Sequence, residues 1–150
     1  MGGNTALELA ARYPDFPAAI VMLDSAIVPP TALAEMLKQA GESLRGPKFH
    51  QVSRDLVEGV TLQTDEPERK ERIKEVMSSA PQYVMSSSFD GHLLLWDGVA
   101  AAAACKVPAF YVAAAQPLAD LSRFRKLCPQ IVIGQTVGAG HFNNKRCRLK

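Results

Sequence analysis

The residues of this chain that could do acid–base chemistry are a histidine and a few well-placed aspartates. His141 lies in the stretch Gly138-Ala139-Gly140-His141-Phe142, where the glycines permit a tight bend. Asp24 follows an apolar run, and Asp120 comes shortly after another. An imidazole oriented by a carboxylate can take a proton from a hydroxyl nucleophile. Whether such a pair forms depends on the elements that position these residues.

Other reactive side chains carry weaker signals. His50 and His92 stand in a predominantly helical segment without supporting motifs, so we interpret them as ordinary helix or loop residues. The three cysteines, Cys105, Cys128 and Cys147, are an odd set with no Cys-x-x-Cys spacing. Such thiols are typical of structural residues rather than of a disulfide or metal site. We therefore predict neither a metal site nor a cofactor.

Composition and charge exclude several classes of protein. The net charge of +2 depends on the last six residues, which hold four of the 17 basic residues and leave 13 against 15 acidic ones. No basic stripe with interleaved aromatics runs through residues 1–142, which argues against nucleic-acid binding. No apolar run approaches the roughly 20 residues that span a bilayer, and no secretory pattern opens the sequence. We expect a soluble cytoplasmic protein that binds neither nucleic acid nor membrane.

Hydrophobic patterning predicts alternating helices and strands. Residues 4–13 have one apolar helical face, and residues 18–23 form a continuous apolar run, which is the pattern of a strand covered on both faces. Further strands are predicted at 107–114 and 131–134, with a short helix at 118–127 between them. This order indicates α/β architecture with about three parallel strands.

A helical segment interrupts this pattern after the first strand. Helices are predicted at residues 31–44, 49–62 and 66–77 and from residue 82 onward, with breaks at Pro29-Pro30 and Gly46-Pro47. We therefore divide the chain into a core of residues 1–28 and 97–142, a helical insert of residues 29–96, and a basic tail of residues 143–150.

The two ends of the core resemble parts of the α/β-hydrolase family. Members of that family carry a serine on a strand-to-helix elbow, G-x-S-x-G, and a common version continues through Met-Gly-Gly into a helix, as Met1-Gly2-Gly3 does here. The glycine bend with His141 matches their histidine loop. The resemblance implies a partial α/β-hydrolase fold, its C-terminal half, with the insert as a cap. The serine would then directly precede Met1.

The resemblance also implies roles for individual residues. His141 would be the general base, and Asp120 the acid that orients it, although Asp120 could equally be the N-cap of the following helix. Asp24 is the alternative acid, since some relatives supply the carboxylate from that position. The backbone N–H of Met1 would contribute to the oxyanion hole. Trp96 and Phe89 would line a substrate pocket, although packing within the insert would also account for them.

The implied activity is the hydrolysis of carboxylic esters, with a small molecule as substrate. Because residues 1–150 hold no serine in such an elbow, we expect this segment alone to be inactive. The alternative is a non-catalytic remnant or binding module that keeps the insert and the glycine bend. A sheet of three strands has an open edge, and we therefore expect self-association through it.

Overall fold

The structure, a computed structural model, describes residues 1–142. The predicted basic tail, with Cys147, lies outside the described residues. The elements in chain order are α1 (Gly2–Arg12), β1 (Ile20–Leu23), α2 (Thr31–Ser43), α3 (Phe49–Gly59), α4 (Pro67–Ser78), α5 (Gln82–Phe89), a π-helical turn (Asp90–Leu94), α6 (Gly98–Ala104), β2 (Ala109–Ala113), α7 (Leu121–Leu127) and β3 (Ile131–Gln135).

The three strands form one parallel sheet in the order β1-β2-β3. Ile20 of β1 pairs with Ala109 of β2, which in turn pairs with Ile131 of β3. Parallel neighbours need long crossover connections, and α2 to α6 provide one while α7 provides the other. The predicted α/β architecture with three parallel strands is confirmed.

One face of the sheet carries the hydrophobic core. Side chains alternate across a strand, so Met22, Tyr111 and their neighbours point to the same face, against Leu7 of α1 and Phe124 of α7. The rings of Tyr111 and Phe124 meet edge to face with centroids 5.6 Å apart. Helices α1, α6 and α7 therefore cover a single face.

The opposite face of the sheet is open in the described part of the chain. Val21 and Val132 are 62% and 63% exposed, and Leu23 and Phe110 are also exposed. The prediction that the first strand is covered on both faces is wrong for residues 1–142. A short apolar run does not reveal which face helices cover, and the three covering helices all lie on the other side.

The insert contains the four helices that the sequence predicts, α2 to α5, followed by the π-helical turn. Helices α3 and α4 pack against each other, and α2 packs against the π-helical turn. At Gly41 of α2 an added Cβ would lie 2.6 Å from the side chain of Leu94 and 3.4 Å from that of Phe89. Among the described residues, no helix combines the length and hydropathy needed to cross a bilayer.

Candidate active site at the carboxyl edge of the sheet

The carboxyl ends of β1, β2 and β3 bring three loops to one edge of the sheet, which is where open α/β sheets bind ligands. Asp24 directly follows β1. The chain leaves β3 at Gln135 and bends through Gly138, whose φ is +63°. This bend returns His141 to the loop after β1. Oδ2 of Asp24 and Nδ1 of His141 are 3.0 Å apart.

Asp24 is fully buried and held by backbone groups. Its Oδ1 accepts hydrogen bonds from the backbone N–H groups of Ala114 (3.0 Å) and Leu118 (3.3 Å), both in the loop after β2. Its φ of +45° lies in the left-handed region, which aspartate adopts more readily than most residues. Residues with such strained backbone conformations cluster at functional sites. The carboxylate is therefore fixed in one orientation, with Oδ2 towards the imidazole.

His141 is partly accessible and is anchored through its backbone. Its side chain is 30% exposed, and its backbone N–H donates to the carbonyl of Val60 at 2.9 Å. A carboxylate can only accept, so Nδ1 must carry the proton that it shares with Asp24. In the neutral ring Nε2 is then the basic nitrogen. This is the tautomer that general-base chemistry requires.

Tyr111 is hydrogen-bonded to the loop after β1, which carries Asp24. Its hydroxyl is buried and donates to the carbonyl of Ser25 at 2.9 Å. Burial first, and the carboxylate of Asp24 second, raise the pKa of the Tyr111 hydroxyl. Tyr111 therefore stays a neutral donor beneath the loop. The sequence prediction missed this residue, although a tyrosine at an inward position of a buried strand is a signal for such a bond.

The amino end of α1 lies beside this loop. A Cβ at Gly3 would overlap Oγ of Ser25 and would lie 2.8 Å from its Cβ. Ser25 is the residue after Asp24, so the start of α1 stands next to the Asp24–His141 pair. Met1 is 67% exposed, and its carbonyl accepts from the N–H groups of Asn4 and Thr5. Its role in an oxyanion hole stays a prediction.

Asp120 is placed differently from Asp24. It is the N-cap of α7: its Oδ1 accepts from the backbone N–H of Arg123 at 3.0 Å and from the hydroxyl of Ser122 at 2.8 Å. These bonds, that of Arg123 first, lower the pKa of Asp120. The N-cap interpretation is confirmed. The acid that is hydrogen-bonded to His141 is Asp24, and the role of Asp120 as orienting acid is not supported by a contact.

Trp96 and Phe89, the predicted pocket residues, both have packing partners. Nε1 of Trp96 donates to Oε2 of Glu8 at 2.7 Å, and its ring packs against the core. Phe89 lies against Gly41. An open surface depression borders α2 and the π-helical turn, but neither residue lines it. Their contact with a substrate stays a prediction.

The remaining candidates have structural contacts. His50 Nδ1 is 2.6 Å from the carbonyl of Ser78, and the carbonyl of His92 accepts from the side chain of Asn4. Cys105 and Cys128 are buried free thiols, as expected of structural cysteines. Within residues 1–142, no three His, Cys, Asp or Glu side chains converge as metal ligands would.

Comparisons with known proteins give matches to solved structures. No protein-family model matches the sequence, and no curated protein matches it. An enol-lactonase from Burkholderia xenovorans matches 96% of this chain over 56% of its own, with 18% identity and a TM-score of 0.79. An esterase from Thermogutta terrifontis matches 93% of this chain over 54% of its own, with 19% identity and a TM-score of 0.72.

An N-acyl homoserine lactone degrading enzyme matches 94% of this chain over 57% of its own, with 21% identity and a TM-score of 0.71. The chain thus spans a little over half of the length of the structures it resembles. At these identities the likeness shows the fold alone. All three structures are α/β-hydrolases, and this chain therefore has part of the α/β-hydrolase fold.

Proposed function

We propose that this chain belongs to a carboxylic-ester hydrolase in which Asp24 orients His141 and His141 acts as the general base for a serine. The observation that supports this proposal is the 3.0 Å contact between Oδ2 of Asp24 and Nδ1 of His141. The buried carboxylate holds the ring in one tautomer and stabilises the imidazolium that forms when Nε2 takes the proton. This is the arrangement of the acid and base in acyl-transfer enzymes.

The serine in this proposal lies outside residues 1–150, at the amino end of α1. In the described residues β1 pairs with β2 on one side, through the N–H groups of Ile20 and Asp24. Backbone groups alternate in direction along a strand, so those of Val21 and Leu23 face the other side. A strand entering α1 would pair there in parallel through a right-handed crossover, and its carboxyl end would reach the Asp24–His141 edge.

The choice of ester hydrolysis rests on the matched structures. The names of the three describe a lactonase, an esterase and a lactone-degrading enzyme, and lactones are cyclic esters. We propose a small-molecule ester as substrate, residues 29–96 as the cap over residues 1–28 and 97–142, and a cytoplasmic location. We propose no cofactor and no nucleic-acid or membrane partner. The open sheet edge is the proposed route of self-association.

The test is covalent labelling with a fluorophosphonate, which reacts with activated serines. Residues 1–150 alone should neither label nor release a burst of p-nitrophenol from a p-nitrophenyl ester. A chain extended before Met1 by an apolar strand that ends in Gly-His-Ser should label at the added serine, because pairing of that strand with β1 would bring the serine beside His141. The same extension with His141→Ala is the control and should not label.

Two results would overturn the proposal. A burst from residues 1–150 that is lost in His141→Ala would show a nucleophile within the chain. Absence of labelling in the extended chain, or labelling that persists in His141→Ala, would show that His141 does not act as the base at the start of α1.

A further inference from the structure

The bend that carries His141 is seated directly on the insert. The backbone N–H of His141 donates to the carbonyl of Val60, just beyond the end of α3, at 2.9 Å. A Cβ at Gly140 would lie 2.5 Å from Oδ2 of Asp65, 3.1 Å from the carbonyl of Val60 and 3.2 Å from the N–H nitrogen of Leu62. Only a glycine fits against this surface without displacing it.

The surface beneath Gly140 is organised by Asp65. Its carboxylate is almost fully buried, and Oδ2 accepts from the backbone N–H of Leu62 at 2.8 Å. The backbone N–H of Asp65 returns a bond to the carbonyl of Leu62 at 3.1 Å, and Arg69 lies 3.6 Å from Oδ1. A buried carboxylate with fixed partners is costly to move. Asp65 therefore fixes the turn from Val60 to Asp65 on which the bend rests.

The same bend is held from the core side. The backbone N–H of Ala115, in the loop after β2, donates to the carbonyl of Ala139 at 2.9 Å. Consecutive residues of the bend thus contact both parts of the chain: Ala139 contacts the core, and Gly140 and His141 contact the insert. The position of the imidazole depends on both.

We propose that Asp65 is a positioning residue: by seating Gly140 and fixing Val60, it holds the His141 ring against Asp24. The turn of residues 60–65 forms the seat of Gly140. This seat is a property of the fold, and its consequence for catalysis rests on the proposed function. In the extended chain, displacement of the seat would slow serine activation because His141 would lose its alignment with Asp24.

The competing explanation is that Asp65 only stabilises the insert. Asp65 stands just before α4, where a carboxylate is favourable to the helix dipole. A purely structural role would lower the stability of the insert without changing the hydrogen bond of the His141 ring. The two explanations therefore differ in what a spectroscopic probe of His141 would show.

The test uses nitrogen-15 NMR of residues 1–150 at neutral pH. The readout is the downfield resonance of the imidazole Nδ1 proton and its exchange with water. The chain has three histidines, so His141→Ala assigns the signal. In Asp65→Ala and in Gly140→Ala, we expect exchange of this proton to be about tenfold faster, since one buried contact of the seat is lost or displaced. Asp65→Asn keeps an oxygen for the N–H of Leu62 and should restore most of the protection.

The matched control is Arg54→Gln. Arg54 of α3 pairs with Glu71 of α4, so this variant weakens the packing of the insert without touching Gly140. It should leave the His141 proton unchanged. The double variant Asp65→Ala/Gly140→Ala should show less than the sum of the two single effects, because removal of the carboxylate makes room for the new Cβ.

The inference is overturned if Asp65→Ala and Gly140→Ala leave the exchange unchanged, or if Arg54→Gln accelerates it as much as Asp65→Ala does. Circular dichroism tests whether each variant is folded. If Asp65→Ala does not fold, Gly140→Ala carries the test, because it displaces the same contact without removing Asp65. The NMR result is independent of the labelling test. If the extended chain does not label, but Asp65→Ala and Gly140→Ala accelerate the proton exchange, only the proposed function is rejected. If the extended chain labels, but both variants leave the exchange unchanged, only the role of Asp65 is rejected.

Discussion

Gly3 and Ser25 are in such close contact that no side chain fits between them. A Cβ at position 3 would overlap Oγ of Ser25 and would also lie 3.4 Å from Cβ of Met22. This contact places the first turn of α1 beside the loop that carries Asp24. It gives a steric reason for the second glycine of Met1-Gly2-Gly3.

The two neighbouring glycines should therefore respond differently to alanine. Gly3→Ala should lower the free energy of unfolding by about 1–3 kcal/mol, because the helix start must move away from Ser25. Gly2→Ala is the matched control, since a Cβ there meets nothing within 4 Å. It should be neutral or stabilising by up to about 1 kcal/mol, as alanine is the better helix former. Urea denaturation measures both, and equal stabilities would contradict the contact.

Removal of the Tyr111 hydroxyl should destabilise the loop after β1. Tyr111→Phe takes one of two donors from the carbonyl of Ser25, which also accepts from the N–H of Ile27. We expect a loss of about 1–2 kcal/mol in the free energy of unfolding. Tyr83→Phe is the control, because Tyr83 is 74% exposed, and it should stay within about 0.5 kcal/mol of the parent. A Tyr111→Phe variant as stable as Tyr83→Phe would refute the importance of this bond.

The open sheet should make the chain associate, and a charge on its edge strand should oppose this. We expect the mass from size-exclusion chromatography with light scattering to rise with concentration. Val21→Lys places a lysine on β1 and should shift the population towards monomer. Val76→Lys in α4 is the control, as Val76 is 65% exposed, close to the 62% of Val21. A monomer at every concentration, or equal effects of both variants, would contradict association through the sheet.

The thiol of Cys128 should make the protein less stable in alkali. Burial first, and the neighbouring Cys105 second, raise the pKa of Cys128 from 9.0 to about 11. The unfolded chain therefore loses this proton at lower pH than the folded chain. The stabilisation is complete below pH 9 and decreases as the pH rises towards about 11. The urea midpoint should fall over this range less steeply in Cys128→Ala than in the parent; identical slopes would argue against the shift.

The elements of the fold were largely predictable from the sequence, because apolar periodicity and proline breaks are local signals. The predicted helix at residues 31–44 corresponds to α2 (Thr31–Ser43), and the predicted strand at residues 131–134 to β3 (Ile131–Gln135). Which face of the sheet is covered was not predictable. It depends on the side taken by α1, α6 and α7, which no single segment specifies.

The site was predictable only in part. His141 and both aspartates can be named from their types and places, but the choice between the acids depends on the path of the bend across 117 residues of sequence separation. Asp120 has a local partner, the N–H of Arg123, and such N-caps are visible in sequence. The bond from Trp96 to Glu8 and the seat of Gly140 on Asp65 are long-range contacts with no local pattern.

The decisive measurement is the resonance of the imidazole Nδ1 proton of His141 in Asp24→Ala and in Asp120→Ala. If Asp24 orients the ring, the downfield resonance should disappear in Asp24→Ala and persist in Asp120→Ala, which loses only the cap of α7. Persistence of the resonance in Asp24→Ala, or its loss in Asp120→Ala, would contradict the assignment of Asp24 and His141 as the acid and base of the site.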